Sequence, residues 1–103
     1  MSDRAYALRF ISGKYQGGEY PLSDAGELLI GRSSEQDMVL IEDMVSRKHA
    51  KLTLAADQIV IADLGSTNGT FVNGQPVRRV TLADGTQVTL GRTTLVFRRD
   101  GIY

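Results

Sequence analysis

The stretch from Asp63 to Gly74 concentrates the residues of this chain that are best suited to bind an anion. It holds three glycines, two asparagines and the run Ser66-Thr67-Asn68, whose short polar side chains hydrogen-bond nearby backbone instead of continuing a strand. Apolar runs of strand type flank the stretch, so we expect a structured loop on a rigid base. Such a loop presents hydroxyls, amides and backbone N–H groups in a fixed arrangement, which suits an oxyanion.

The rest of the chain offers little for catalysis. His49 is the only histidine and there is no cysteine, whereas a general base needs a nucleophile and an orienting partner, and a metal site needs several ligands. The glycines at 65, 69 and 74 precede neither a helix nor a P-loop lysine, so they favour turns over a nucleotide cradle. We therefore predict that the protein is not an enzyme and holds no cofactor and no metal, and that His49 bridges two loops through its ring nitrogens.

Length and charge restrict the classes of partner. The 103 residues suit a single domain over residues 1–103, either a minimal module or one cut from a longer protein. Twelve Lys and Arg residues balance twelve Asp and Glu residues, so no bulk positive field gathers nucleic acid or an anionic membrane. The lack of cysteine fits a reducing compartment, and the first residues carry no signal-peptide pattern and no membrane-spanning run. We expect a cytoplasmic protein with no nucleic-acid partner and no membrane insertion.

Short apolar runs separated by turn residues indicate many β-strands. Residues 5–12 alternate with a period of two, Pro21 marks an edge strand, and residues 27–31 suit a strand buried on both faces. Strands are predicted at residues 5–12, 19–22, 27–31, 38–41, 49–54, 58–63, 71–72, 75–80, 86–90 and 93–99, with hairpin turns at Asn73-Gly74, Asp84-Gly85 and Gly91-Arg92. No segment longer than about ten residues has a helical period. The pattern predicts an all-β fold, an antiparallel β-sandwich, with an open barrel as the alternative.

The strand order brings two polar loops together. Residues 49–54 and 58–63 predict a hairpin that turns at residues 55–57, so its first strand leaves the loop of Ser46 and its second strand returns to the same end. The loop of Ser46 and the loop from Ser66 to Gly69 should therefore lie side by side. Strand counting leaves the place of Arg32 open, because the very short strand at residues 38–41 does not fix the direction of that segment.

Three separated pieces of the sequence, taken together, resemble the forkhead-associated (FHA) domain family. They are Gly31-Arg32, Ser46-Arg47-Lys48-His49 and the stretch from Asp63 to Gly74, in that order and at that spacing, and the resemblance covers almost the whole chain. It implies an FHA/SMAD-like sandwich of about eleven short strands, whose loops at one end bind a phosphothreonine in a partner protein. It also implies that Arg32 lies beside the other two loops.

The resemblance assigns roles to individual residues. Those that match phosphopeptide contacts in the family are Arg32, Ser46, Arg47, Thr67 and Asn68. Those that match loop-shaping positions are Gly31, His49 and Gly69. Selectivity beyond the phosphothreonine is expected to depend on variable loop residues such as Met44 and Thr93.

The matched side chains have the chemistry that a phosphothreonine requires. This group carries roughly −1.5 to −2 charges near neutral pH and three strong acceptor oxygens. Arg32 can offer a fork of donors, Ser46 a hydroxyl, and Asn68 an amide that both donates to and accepts from peptide backbone. Taken alone, each is more often an ordinary surface or turn residue. The joint pattern favours binding.

These observations predict a phosphothreonine-dependent protein–protein interaction module, an adaptor in Ser/Thr kinase signalling. Its expected partners are a phosphothreonine-containing protein or peptide, and a Ser/Thr protein kinase or the substrates of that kinase. The alternative is a structural or assembly domain that uses the same surface without phosphate. The presence of Arg32, Ser46 and Asn68 together favours the first function.

Overall fold

The computed structural model describes residues 5–22, 26–55 and 58–100, and these parts of the chain form β-strands and no helix. The strands are β1 (Ala5–Ser12), β2 (Glu19–Leu22), β3 (Gly26–Gly31), β4 (Met38–Val39), β5 (Ala50–Ala55), β6 (Gln58–Asp63), β7 (Thr70–Val72), β8 (Gln75–Val77), β9 (Arg79–Leu82), β10 (Gln87–Leu90) and β11 (Thr93–Asp100). Within these ranges we find no helix that is long and apolar enough to span a membrane. The all-β prediction is confirmed.

The strands form two sheets, as the predicted sandwich requires. One sheet has six strands in the order β2-β1-β11-β10-β7-β8, and the other has five in the order β4-β3-β5-β6-β9. Neighbouring strands are antiparallel except for β3 and β4, which pair in parallel through Ile30 with Met38 and Gly31 with Val39. The fold is thus the predicted sandwich, with this one short parallel pairing as a departure.

The core lies between the inner faces of the two sheets. Alternating side chains of β1 and of the β10–β11 hairpin are buried, and Val88 lies directly opposite Leu95 across that hairpin. The rings of Tyr6 and Phe97 stack with centroids 5.9 Å apart. The five-stranded sheet contributes the buried side chains Ile30, Ala50, Leu52, Leu54, Ile59, Ile61 and Leu82. This core holds the loop ends in fixed positions.

Several predicted strands are confirmed, and one burial prediction is wrong. β1, β2 and β6 have the predicted bounds, and β2 lies at the edge of its sheet, where the missing N–H of Pro21 costs no ladder bond. β3 was expected to be buried on both faces, but only Ile30 and Gly31 at its end are buried. The outer face of its sheet is open, so Glu27 is exposed and its carboxylate lies 3.4 Å from Lys51 Nζ.

Residues 75–80 do not form the single strand that was expected. β8 belongs to the six-stranded sheet and β9 to the five-stranded sheet, with the break at Arg78, whose carbonyl accepts the backbone N–H of Asp63 at 2.8 Å. The turn at Asp84-Gly85 likewise joins β9 to β10 across the two sheets and makes no hairpin. The hairpin at Asn73-Gly74 is confirmed, and both residues have the positive φ (50° and 84°) that such a turn requires.

The sheet register brings three loop ends together. Ile30 of β3 pairs with Ala50 of β5, and Ala50 pairs with Asp63 of β6. The loops that contain Arg32, Ser46 and Thr67 therefore start from neighbouring points at one end of the sandwich. The β5–β6 hairpin is confirmed, and of its predicted turn, residues 56 and 57 lie outside the described residues.

Candidate functional site

Arg32 follows β3 directly and is held in place by the chain beside it. Its backbone N–H donates to the carbonyl of Ser46 at 3.0 Å, and its Nε–H donates to the carbonyl of Val45 at 3.0 Å. Its side chain is exposed, and among the described residues no carboxylate lies within ion-pair distance of it. One edge of the guanidinium is thus anchored, which leaves the terminal N–H groups available to an outside acceptor.

Gly31 allows the loop of Ser46 to cross β3 this closely. A Cβ at Gly31 would overlap the carbonyl oxygen of Arg47 and would lie 3.0 Å from the carbonyl oxygen of Ser46. Both obstacles are backbone atoms, which cannot rotate away as a side chain can. A side chain at this position would therefore push the loop away from Arg32.

Ser46 connects its own loop to that of Thr67. Its hydroxyl oxygen accepts the backbone N–H of Thr67 at 2.9 Å, and the side chain is half-buried. Because an N–H can only donate, the hydroxyl proton of Ser46 remains free for another acceptor. Thr67 is exposed, and because its backbone N–H already donates to Ser46, its hydroxyl is the donor that remains for a ligand.

His49 joins the loop of Ser46 to the loop of Thr67 from the buried side of the site. Its side chain is fully buried, its Nδ1 accepts the backbone N–H of Ser46 at 3.0 Å, and its Nε2 lies 2.9 Å from the carbonyl oxygen of Gly69. Since Nδ1 accepts, Nε2 carries the proton and donates to Gly69. Both ring nitrogens are occupied, which leaves none for proton transfer to a substrate.

Asn68 and Arg47 are exposed at the surface of the same loops. The Asn68 side-chain amide donates to the carbonyl of Met44 at 2.9 Å, which leaves its oxygen and its second N–H available. The carbonyl of Arg47 accepts the N–H of Ser33 at 3.2 Å, so the backbone is fixed while the long side chain is exposed.

The five residues assigned to phosphopeptide contact all line one depression. Its volume is about 280 Å³, and its wall is completed by Asp43, Met44 and Val45. A groove of about 760 Å³ adjoins it and shares Arg32, Asp43 and Met44, with the rest of its wall formed by Gly13, Lys14, Ile41, Glu42 and Arg92. Because the two depressions share these residues, the loops form one continuous surface.

Two features of this surface differ from the sequence-based expectation. Thr93 was expected to be a loop residue that influences selectivity, but it begins β11, is fully buried, and its hydroxyl donates to Glu42. Met44, the other residue named for selectivity, is 38% exposed in the groove. Asp43 was missed: it is exposed and lines the same depression as Arg32 and Arg47, where its negative charge would oppose an anion. Its proximity to Arg32 depends on loop packing, which strand counting could not supply.

Asp63 organises the loop from Asp63 to Thr70, a role that was also missed. Its Oδ2 accepts the N–H groups of Gly65 and Ser66 at 3.0 Å each, and its Oδ1 accepts the hydroxyls of Ser66 at 2.6 Å and Thr70 at 2.7 Å. Ser66 in turn accepts the N–H of Gly69 at 2.9 Å. An Asp followed by Gly and Ser two and three residues later is an Asx-turn signal that could have indicated this.

These bonds change the acidity of Asp63. Partial burial of the carboxylate acts to raise its pKa, but the hydrogen bonds from Ser66, Thr70 and Gly65 outweigh this effect and hold the pKa below its usual value. The ionised form is therefore the one that stabilises the loop.

No three His, Asp or Glu side chains in the described residues are grouped as a metal site would require.

We predict that Asp63→Asn lowers the free energy of unfolding at pH 7 by about 1 to 2 kcal/mol, because the charge-assisted bonds are lost. Since the pKa is depressed in the folded state, this stabilisation is complete above the unfolded pKa of about 4 and is lost as the pH falls through the folded value. Urea unfolding at pH 7 and at pH 3 measures it. The difference between wild type and variant should shrink at the lower pH, and an equal difference at both would contradict the assignment.

A protein-family model matches nearly the whole chain. It is described as "Inner membrane component of T3SS, cytoplasmic domain" and matches residues 9–101. Among curated proteins, the glycogen accumulation regulator GarA of Mycolicibacterium smegmatis is 36% identical over 91 residues, which are 88% of this chain and 58% of GarA. The chain thus spans a little over half the length of that relative.

Solved structures give the same fold. One comes from a structural and functional analysis of phosphothreonine-dependent FHA domain interactions: it is 34% identical, with 95% of this chain and 99% of that chain covered and a TM-score of 0.86. Another is EmbR of Mycobacterium tuberculosis in complex with a low-affinity phosphopeptide. It is 32% identical, with 96% of this chain and 25% of that chain covered and a TM-score of 0.86.

Proposed function

The chain belongs to the forkhead-associated (FHA) domain family, and to the family described as the cytoplasmic domain of an inner membrane component of T3SS. From this premise we propose that it is a phosphothreonine-dependent protein–protein interaction module in Ser/Thr kinase signalling. Its partners are phosphothreonine-containing proteins, whether substrates of a kinase or the kinase itself. We place its action in the cytoplasm, and we assign residues 1–103 to a single FHA domain.

One observation carries this proposal: a guanidinium anchored on one edge lies in the same depression as a hydroxyl whose proton is free. The Arg32 side chain is held by Val45, and Ser46 is held by Thr67, so both donors keep their places before a ligand arrives. A phosphate offers three acceptor oxygens to such donors. This arrangement supports a binding role over a catalytic one, because nothing in it activates a nucleophile.

The other residues of the depression and its loops are assigned roles around Arg32 and Ser46. Arg32, Ser46 and the Thr67 hydroxyl take the phosphate oxygens, while Asn68 and Arg47 contact the peptide backbone. Gly31, His49 and Gly69 shape the loops. Three or four charge-assisted hydrogen bonds of about 1.5 to 3 kcal/mol each, reduced by the cost of association, leave an affinity near micromolar, about −8 kcal/mol. Such an affinity suits reversible signalling.

A calorimetric titration tests the proposed function. A phosphothreonine peptide, selected from an oriented peptide library, should bind with near-micromolar affinity, and its unphosphorylated twin should bind at least about 100-fold more weakly because it lacks the charged acceptor. A third peptide, with glutamate in place of the phosphothreonine, is the matched control for negative charge alone. Equal affinity for the phosphorylated and unphosphorylated peptides would contradict the proposal.

The second candidate function is a phosphate-independent assembly domain. The match of residues 9–101 to a family described as part of an inner membrane component of T3SS is the observation that favours it. A domain of this kind would bind its partner equally well before and after phosphatase treatment of that partner. The anchored Arg32 and the free Ser46 hydroxyl favour the phosphate-dependent function.

A further inference from the structure

A short turn supplies the acceptors that aim the proposed ligand-binding side chains. The turn spans residues 42–45 and is closed by a hydrogen bond of 3.1 Å from the N–H of Val45 to the carbonyl of Glu42. The carbonyls of Met44 and Val45 accept the Asn68 amide and the Arg32 Nε–H, respectively. A shift of this turn would therefore move the donors of both side chains.

Glu42 ties this turn to the other sheet. Its Oε1 accepts the backbone N–H of Arg92 at 2.6 Å, and its Oε2 accepts the hydroxyl of Thr93 at 2.5 Å, although these residues are 50 and 51 positions away in the chain. Thr93 is fully buried. A Cβ at Gly91 would lie 2.6 Å from Glu42 Oε1, so glycine at that position leaves room for the carboxylate.

The neighbours of Glu42 indicate that its two bonds fix the position of the turn at residues 42–45 and contribute less to the stability of the fold. Leu40 and Val45 are buried and fix the two ends of the segment, whereas Ile41, Asp43 and Met44 between them are exposed. Ile41 is held on its own side by Tyr15 and Lys14. Glu42 thus provides the attachment of the exposed middle to the β10–β11 turn. Each of its carboxylate oxygens accepts one of these bonds, so the carboxylate is held toward Arg92 and Thr93.

We propose that Glu42 is a positioning residue for phosphopeptide binding, which sets Arg32 and Asn68 through the carbonyls of Val45 and Met44. This inference rests on the proposed function. It gives the β10–β11 turn a part in ligand affinity, although none of the hydrogen bonds described joins this turn to Arg32 or Asn68.

Three variants test the inference by calorimetry with the phosphothreonine peptide. Glu42→Ala should weaken binding about tenfold, because the turn loses its bonds to Arg92 and Thr93. Glu42→Gln should stay within about threefold of wild type, because its amide oxygen accepts the Arg92 N–H and its NH₂ donates to the Thr93 oxygen. Asp84→Ala is the matched control: it removes a carboxylate that accepts the Arg99 N–H at 2.8 Å, at the far end of β10 and β11. It should lower thermal stability and leave affinity unchanged.

A spectroscopic measurement separates positioning from general loosening. Hydrogen exchange of the Arg32 Nε–H, followed by NMR without ligand, should be at least about tenfold faster in Glu42→Ala than in wild type and unchanged in Asp84→Ala. In an Asn68→Ala background the effect of Glu42→Ala on affinity should be smaller, since part of it passes through Asn68. Thr93→Val removes one of the two bonds and should weaken binding about threefold. It provides the test if Glu42→Ala does not fold.

The outcomes are distinct. A wild type that does not discriminate between the phosphorylated and unphosphorylated peptides would overturn the proposed function. A wild type that discriminates, with Glu42→Ala of equal affinity and unchanged Arg32 exchange, would overturn this inference alone. Equal loss of affinity in Glu42→Ala and Asp84→Ala would reduce Glu42 to a stability role and would likewise overturn it.

Discussion

Arg32→Ala is expected to abolish the difference in affinity between a phosphothreonine peptide and its unphosphorylated twin, while the fold stays intact. The variant removes the terminal guanidinium donors that we assign to phosphate, and two charge-assisted bonds of about 1.5 to 3 kcal/mol each correspond to a loss of at least about 100-fold. The side chain is exposed and bonds the protein through Nε alone among the described contacts, so its loss removes little packing. Calorimetry gives the affinities, and thermal unfolding verifies the fold.

Two further variants make this test specific. Arg32→Lys retains the charge but lacks the fork and the Nε–H that bonds Val45, so it should recover only part of the affinity. Arg98→Ala removes an exposed arginine whose Nε lies 3.7 Å from Asp84, at the end of the sandwich away from the depression, and should bind as wild type does. Discrimination that survives in Arg32→Ala would place the phosphate elsewhere, with Arg47 as the next cation in the depression.

His49→Ala is expected to lower the free energy of unfolding by about 3 kcal/mol or more. The ring is fully buried, so its removal leaves a cavity. It also leaves the Ser46 N–H and the Gly69 carbonyl without their partners. Because these two groups belong to the loops that meet at the depression, peptide affinity should fall together with stability. Urea unfolding followed by circular dichroism measures the first effect, and calorimetry below the unfolding transition measures the second.

The matched variant for this prediction is His49→Gln. Its amide contains one acceptor and one donor group, as the ring does, and it fills more of the space than alanine. It should therefore be more stable than His49→Ala. A loss of less than about 1 kcal/mol in His49→Ala would show that the two loops hold each other without the ring.

Much of the fold could be read from alternation and turn residues, but sheet membership could not. Residues 75–80 contain no glycine or asparagine that would mark a break at Arg78, where the carbonyl accepts the N–H of Asp63 from β6 at 2.8 Å. Thr93 is polar and follows the predicted turn at Gly91-Arg92, a pattern typical of an exposed residue. It is fully buried, and its hydroxyl donates to Glu42 of another loop. Such long-range partners leave no periodic trace in the sequence.

The site divides in the same way. The approach of the Ser46 loop to the Ser66–Gly69 loop followed from one hairpin, because antiparallel strands return to the end from which they started. The place of Arg32 did not follow, because it depends on the antiparallel pairing of β3 with β5, and the short strand β4 between them left the direction of that segment open. Short loops that branch from adjacent strands can be placed by register, whereas a side chain such as Asp43 needs the packing of the whole turn around it.

The bonds between the loops have a consequence for the thermodynamics of recognition. The N–H groups of Ser46, Thr67 and Gly69 are all occupied by partners within the domain. The loops are therefore already ordered before a peptide binds. The conformational entropy lost on binding comes mainly from the peptide and a few surface side chains. Stiffening the peptide should accordingly increase affinity more than stiffening the domain.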